Sequence, residues 1–281
     1  MKAMILAAGL GTRLRPLTDT RPKALVEING RTLLEITLTR LRTFGITEAI
    51  INVHHFADMV VQYLKSKNSF NMRLEISRED DQLLDTGGGL KKAAWFFQEN
   101  PDHSGSGVND EPFILHNVDV ISTIDLYAML QFHTQHQALA TLAVQSRNSS
   151  RQLLFNDQLQ LSGRRINERN SLISSEARDL SSPSPDARRP PSPLATRHSP
   201  LPQSPEPSPL LPLAFSGIHI LSPRLLSQLT ETGPFSIIDS YLRLSGQGQK
   251  ILAFRHDTSY WRDLGKPADL AQAALDLQKE A

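Results

Sequence analysis

From the N-terminus to Val144, short apolar runs alternate with segments of helical period, and nothing else in the chain restricts its fold as strongly. Lys2–Ala7 reads as a buried strand, followed by a glycine- and proline-containing loop over Ala8–Leu17. Leu34, Leu38 and Leu41 recur at helical spacing and predict a helix over Thr32–Phe44 that stops before Gly45. Further strands are predicted at Glu48–Val53, Met72–Ser77, Pro112–Asn117 and Ala138–Val144. Helices at Ala57–Lys67, Gly87–Gln98 and Asp125–His136 separate them. Strands joined through helices of this length imply an α/β fold with a mixed, mostly parallel sheet and helices on both faces. After a break the pattern returns, with strands at Phe215–Leu221 and Lys250–Arg255 and helices at Ser236–Leu244 and Pro267–Gln278.

The break is compositional. Between Ser181 and Pro212 lie 11 of the 18 prolines, mixed with Ser and Arg and few apolar residues. Such a stretch cannot bury enough surface to offset its ordering entropy. About Arg165–Leu210 is therefore expected to be a disordered insertion interrupting a single domain that spans residues 1–281. Two Arg-containing patches in it could engage a partner, although a passive loop extension is the simpler reading. The chain shows no internal repeat.

Bulk properties remove several function classes. Thirty basic residues against 29 acidic ones leave a net charge of +1, so no global field draws the chain to nucleic acid or an anionic membrane. The absence of cysteine excludes disulfides, thiolate catalysis and Cys-ligated zinc. The apolar run after Lys2 is too short for a signal peptide, and no run approaches the roughly 18 apolar residues of a membrane span. A cytoplasmic location, with no membrane or nucleic-acid partner, is the expectation.

The loop after the first strand, LAAGLGTRLRPLT, raises the chemical question. A dinucleotide fingerprint needs a third glycine where Leu14 stands, and a Walker loop needs a Lys directly after its glycines; both fail. What remains is a turn whose small residues, Ala7, Ala8, Gly9 and Gly11, let backbone N–H groups approach a ligand. Thr12, Arg13 and Arg15 follow, then Arg21 and Lys23; with Lys2 these make five cations against two acids in the first 30 residues. Guanidinium forks and a lysine point charge suit phosphate oxygens. A plain strand-to-loop turn with solvated cations is the competing reading.

This loop, with the R-P-K that ends at Lys23, resembles the signature of the sugar-1-phosphate nucleotidyltransferases, which make NDP-sugars. The likeness continues through L-L-D-T-G-G-G at 83–89, similar to a nucleoside loop, and H-N-V-D-V at 116–120, similar to an N-x-D metal motif. F-S-G-I-H-I-L at 215–221 and W-R-D-L-G-K-P at 261–267 resemble two C-terminal motifs. The resemblance implies the Rossmann-like fold of the nucleotide-diphospho-sugar transferases. It also implies NTP and sugar-1-phosphate as substrates and Mg²⁺ as cofactor. A homo-oligomer is compatible with it.

The implied reaction is attack of a sugar-1-phosphate oxygen on the α-phosphorus of an NTP. A phosphate monoester is mostly dianionic near neutral pH, so no general base is needed. The requirement is to neutralise charge. The resemblance makes Asp119 and Asp263 the Mg²⁺ ligands, and two carboxylates suffice for that ion. Without it, Asp119 could equally cap the next segment. Arg13 and Lys23 are the candidate catalytic cations. Ala8, Gly9, Gly11, Thr12, Arg13, Asp80, Asp85, Thr86 and Gly87 are expected around the nucleotide, and Gly88, Asn117 and Gly217 around the sugar. Arg15 is as readily paired with a surface acid, and Asp85-Thr86 as readily caps a helix.

Three departures stand out. Val118 occupies a position where the family usually has Gly, and Lys266 one where Thr is usual. A mid-chain Glu-Lys pair that contacts the sugar phosphate in many members is missing, with Arg164 or Arg165 as substitutes. Carboxylates at Glu79-Asp80-Asp81 suit guanine or uracil N–H donors. The motif form favours UTP with an N-acetylmuramate-like sugar, as in N-acetylmuramate-1-phosphate uridylyltransferases. Mannose- or heptose-1-phosphate guanylyltransferases are the alternative. His54 and His55 are expected to be structural or to line the rim, and Trp261 to pack in the core. A non-catalytic sugar-nucleotide sensor would be expected to lack Arg13, Lys23 or a metal Asp, and all are present.

Overall fold

A computed structural model describes residues 1–98, 110–166 and 209–279. In chain order the strands are β1 (Ala3–Leu6), β2 (Glu27–Ile28), β3 (Arg31–Thr32), β4 (Glu48–Val53), β5 (Arg73–Arg78), β6 (Phe113–Asn117) and β7 (Val120–Ser122). They continue with β8 (Ala140–Gln145), β9 (Arg151–Phe155), β10 (Leu161–Ile166), β11 (Leu211–Leu221), β12 (Ile251–Arg255) and β13 (Trp261–Asp263). The helices are α1 (Leu33–Thr43), α2 (Ala57–Ser66), α3 (Asp85–Lys92), α4 (Trp95–Gln98), α5 (Leu126–Gln135), α6 (Ile237–Gly246) and α7 (Pro267–Lys279).

The main sheet runs β10-β9-β11-β6-β1-β4-β5, with β8 also paired to β11 and β12 to β8. Strands β6, β1, β4 and β5 are mutually parallel, as are β8 and β12, and β11 lies antiparallel between β6 and β8. The result is the mixed, largely parallel α/β sheet that the sequence predicts. Because β11 reverses direction once, β8 and β12 again run with β1, so their carboxyl ends emerge on one edge.

Side-chain alternation explains the two-sided burial. Ala3, Ile5, Ala49, Ile51 and Ile114 point into a core shared with α1, α2 and α7, which contribute Leu34, Leu38, Leu41, Val60 and Ala273. Met4, Ile50, Phe113 and Leu115 point into a second core with Phe96, Phe97, Tyr241 and Leu244. Helix starts are set locally. Thr32 accepts the Glu35 N–H, Asp125 those of Tyr127 and Ala128, and Ser236 that of Ile238.

Several boundaries differ from expectation. The helix predicted over Gly87–Gln98 is two, broken at Ala93-Ala94. The β9–β10 hairpin lacks clear alternation in sequence and exists by pairing along β11. Arg165 and Ile166, assigned to the insertion, complete β10, while most of the predicted insertion lies outside the described residues.

Candidate active site

A cleft of about 530 Å³ opens at the carboxyl edge, where open α/β sheets place ligands. Ala7, Ala8, Gly9, Gly11, Thr12, Arg13 and Lys23 form one wall, and Asp85, Thr86, Asn117, Val118, Asp119, Pro234 and Gly265 face them.

The loop after β1 is held from both ends. Gly11 adopts φ +65°, and a Cβ there would meet Thr18 Cγ2 at 2.9 Å, so glycine is required for both reasons. Thr18 donates its hydroxyl to the Gly11 carbonyl at 2.9 Å. At the other end the Ala7 N–H donates to Asn52 Oδ1 at 2.7 Å, and Asn52 Nδ2 donates to Glu79 Oε1 at 2.7 Å. The second Glu79 oxygen accepts the Leu84 N–H at 2.8 Å. This buried relay ties the ends of β1, β4 and β5 to the segment that starts α3. Sequence reading did not single out Asn52; its apolar neighbours on β4 were the only signal.

The acidic side is built by tertiary pairing. Strands β7 and β13 set Asp263 opposite Val120, next to Asp119, and the Leu264 N–H donates to the Asp119 carbonyl at 2.8 Å. Asp119 caps no helix; that role at α5 belongs to Asp125. Asp119 forms a close ion pair with Lys23, a lysine left only 8% exposed. Asp263 Oδ1 is buried without a hydrogen-bond partner. Burial first, and then the Asp119 charge, push the Asp263 carboxyl above the usual carboxylate range, with Lys23 and Arg13 opposing. A Cβ on Gly265 would fall 2.6 Å from Arg13 Nη2 and 2.8 Å from Asp263 Oδ1, so both groups crowd the same point. Two adjacent carboxylates, one with an orphaned oxygen, suit a divalent cation. Among the described residues no third His, Cys, Asp or Glu joins them.

The glycines at 87–89 have a packing reason. A Cβ on Gly87 would lie 2.2 Å from the Phe235 ring, one on Gly88 2.7 Å from the Gly233 carbonyl, and one on Gly89 2.7 Å from Asn52. The Gly87 N–H donates to the Phe235 carbonyl at 2.9 Å, and Thr86 Oγ1 accepts the Ile237 N–H at 3.0 Å. Thus α3 docks on the loop before α6, leaving Asp85 and Thr86 at the cleft and Gly87 and Gly88 behind it. Gly217, at φ +75°, also lies outside the lining. A Cβ there would meet Asn117 Nδ2 at 2.8 Å, so its bareness positions the Asn117 amide.

Other predicted residues lie elsewhere. Asp80 is exposed and pairs with Arg78 at 3.2 Å, and Glu79 is consumed by the relay. Arg15 pairs with Asp19 at 3.2 Å. Arg164 pairs with Asp239 at the surface, and Arg165 is exposed on β10. His54 Nδ1 contacts the Glu79 carbonyl at 2.6 Å, while His55 packs on Phe56. Val118 is buried and joins the core under the cleft. Trp261 is half-buried. Its indole N–H donates to the Ser216 carbonyl at 2.8 Å, and the Arg147 guanidinium lies 3.7 Å over its ring.

Comparison with known proteins gives the family and the fold. The nucleotidyl transferase family model matches residues 2–152, more than half of the chain. The chain belongs to that family. It is 43% identical over 120 residues to the N-acetylmuramate alpha-1-phosphate uridylyltransferase of Caulobacter vibrioides, covering 38% of this chain and 50% of that one. It is 36% identical over 145 residues to the mannose-1-phosphate guanyltransferase of Aspergillus fumigatus, covering 51% and 37%. The chain thus spans half or less of the length of these curated relatives. The structure of HddC from Yersinia pseudotuberculosis complexed with GMP-PN shares the fold, with a TM-score of 0.67 at 18% identity. That match covers 98% of this chain and 99% of the other.

Proposed function

We propose that this member of the nucleotidyl transferase family moves a nucleoside monophosphate from an NTP to a sugar 1-phosphate, and that its residues 1–281 act as one nucleotidyltransferase unit. The observation that carries this reading is the Gly11–Lys23 loop, whose Arg13 Nη2 approaches Gly265 together with the Asp263 Oδ1 that lacks a hydrogen-bond partner. The sugar-phosphate oxygen attacks the α-phosphorus, the bond from that phosphorus to the bridging oxygen breaks, and pyrophosphate leaves with the electron pair. Arg13 and the loop N–H groups bind the β- and γ-phosphates and stabilise the charge that grows on the leaving group. Lys23, held by Asp119, directs its charge toward the α-phosphate. Asp119 and Asp263 would hold Mg²⁺, which supplies charge neutralisation between the two anions.

For the base, Asp85 is the cleft carboxylate with capacity to spare. It accepts the Thr86 N–H at 2.6 Å and keeps its remaining lone pairs for a ligand. Guanine presents two N–H donors on one edge, N1–H and N2–H₂, and matches a carboxylate bidentately, whereas uracil offers only N3–H. Engagement of Glu79 and Asp80 elsewhere leaves Asp85 in place of the upstream carboxylates to read the base edge. We therefore favour guanylyl transfer to a mannose- or heptose-like 1-phosphate. Uridylyl transfer to N-acetylmuramate 1-phosphate is the second reading, favoured by the identity to the Caulobacter enzyme. Pyrophosphate release from four NTPs against mannose, heptose, glucose and N-acetylmuramate 1-phosphates tests both. Release with GTP is expected, release with UTP alone selects the second reading, and release from no pair overturns nucleotidyl transfer.

A further inference from the structure

We infer that Arg147 is the cation that receives the phosphate of the sugar 1-phosphate, at a position beside Asp263 that is distinct from the Arg13–Lys23 loop. The inference rests on the nucleotidyl-transfer reading and adds the residue for its second anionic substrate.

Topology brings Arg147 to the site edge. It lies two residues beyond β8, which runs in the direction of β1 and β6, so it emerges at the edge where the loop after β1 emerges. Trp261 and Asp263 are two apart on β13, and therefore share a face of that strand. The Arg147 guanidinium lies 3.7 Å over the Trp261 ring and so occupies the face toward which Asp263 points. The indole is itself fixed by its bond to the Ser216 carbonyl, and Arg147 Nη2 donates to the Phe215 carbonyl at 2.7 Å.

The electrostatics ask for an anion. Arg147 is half-buried, its Nε is buried without a partner, and no carboxylate lies within 4 Å of it among the described residues. Burial lowers its pKa, with the charge of Asp263 opposing. Half-burying a guanidinium against an aromatic face with only a carbonyl for company is costly unless a ligand completes it. Stacking keeps the fork planar and aimed, which suits two oxygens of a phosphate. Three of the other cations already hold a carboxylate: Lys23 that of Asp119, Arg15 that of Asp19 and Arg164 that of Asp239.

Two measurements test the assignment. A W95F background leaves Trp261 as the sole tryptophan. Titration of that variant with inorganic phosphate or mannose 1-phosphate is expected to change indole emission saturably, and R147A to abolish the change. In steady state R147A is expected to raise the KM for the sugar 1-phosphate by about 10- to 100-fold, with the NTP KM moving less than about twofold. R147K keeps the charge but loses the fork; it is expected to fall between, and it carries the test should the alanine variant not fold. Equal rises in both KM values, or an emission change that survives R147A, overturn the assignment. Absence of pyrophosphate release from the unmodified chain would break the nucleotidyl-transfer reading alone, and the emission titration would still decide whether Arg147 binds phosphate.

Discussion

The ends of β1, β4 and β6 and the segment after β5 meet the loops before α6 and after β13 at one cleft, yet the two sides differ in how the polar groups behind them are satisfied. On the N-terminal side the relay from Ala7 through Asn52 and Glu79 to Leu84 is closed: the buried amide and carboxylate have their partners. On the C-terminal side Asp263 Oδ1 and Arg147 Nε are buried with none. A satisfied network rigidifies a scaffold, whereas unsatisfied charge is retained at a cost that a bound ligand can offset. The contrast separates the frame that shapes the phosphate loop from the groups held ready for cation and anion.

Function and stability should therefore move in opposite directions on the open side, and this is the largest expected effect. Arg13→Ala and Asp263→Asn are each expected to cost roughly 10²–10³ in turnover, measured as pyrophosphate release. Asp263→Asn should leave the melting temperature of the free protein unchanged or raised, because it removes a half-buried charge that has an orphaned oxygen and lies beside the like charge of Asp119. A variant that melts lower while turning over normally would erase the contrast.

Next in size is the dock between the two sides. Gly87→Ala places a methyl 2.2 Å from the Phe235 ring and is expected to destabilise by about 1–3 kcal/mol, read from denaturant midpoints. Because α3 must shift, the KM for the nucleotide should rise as well. Unchanged stability would mean that the α3–α6 contact is slack.

Acid should act mainly through buried imidazoles. Burial lowers His133 to about 4, and His116 likewise, while both keep the unfolded value near 6.5 once exposed. The unfolded chain then binds more protons below pH 6.5, so stability is full above that value and falls as the pH drops toward 4. For His133 alone, which contacts Thr141 and Ser222, the loss by pH 4.5 is on the order of 2–3 kcal/mol. Equal denaturant midpoints at pH 7 and 5 would contradict the burial of these rings.

The smallest effect is expected from the proline-rich segment. Ile166 pairs with Arg151 and Leu211 with Phe155, so the ends of β10 and β11 lie at opposite ends of β9, roughly 16 Å apart. Replacing residues 168–208 with about eight Gly/Ser residues spans that distance and should leave both KM values and turnover unchanged. A loss of activity would give the segment a part in the site.

Much of the fold was legible in the chain. The parallel strands and their helices follow from period and length, because strands buried on both faces must be apolar throughout and the connecting helices must show one apolar stripe. The β9–β10 hairpin and the short β7–β13 pair were not legible. Their segments carry little alternation of their own and form because β11 and the loop after β6 offer edges to pair with.

The site divides in the same way. The loop from Ala7 to Lys23 could be read directly, since its small residues and cations are contiguous and their chemistry does not depend on distant contacts. Asp119 and Asp263 could be named only through family resemblance, because 144 positions separate them until β7 pairs with β13. Asp80 and Asp85 are indistinguishable by composition, and only the turn into α3 sends one to Arg78 and the other to the cleft. Arg147 gave no local signal at all, and Trp261 was legible only as a core aromatic at the head of its motif. By itself the sequence determined the sheet, the phosphate loop and the inventory of charges, because these depend on neighbours along the chain. The tertiary structure decided which charges remain unpaired beside the cleft, because pairing depends on which strand ends are brought together at one edge.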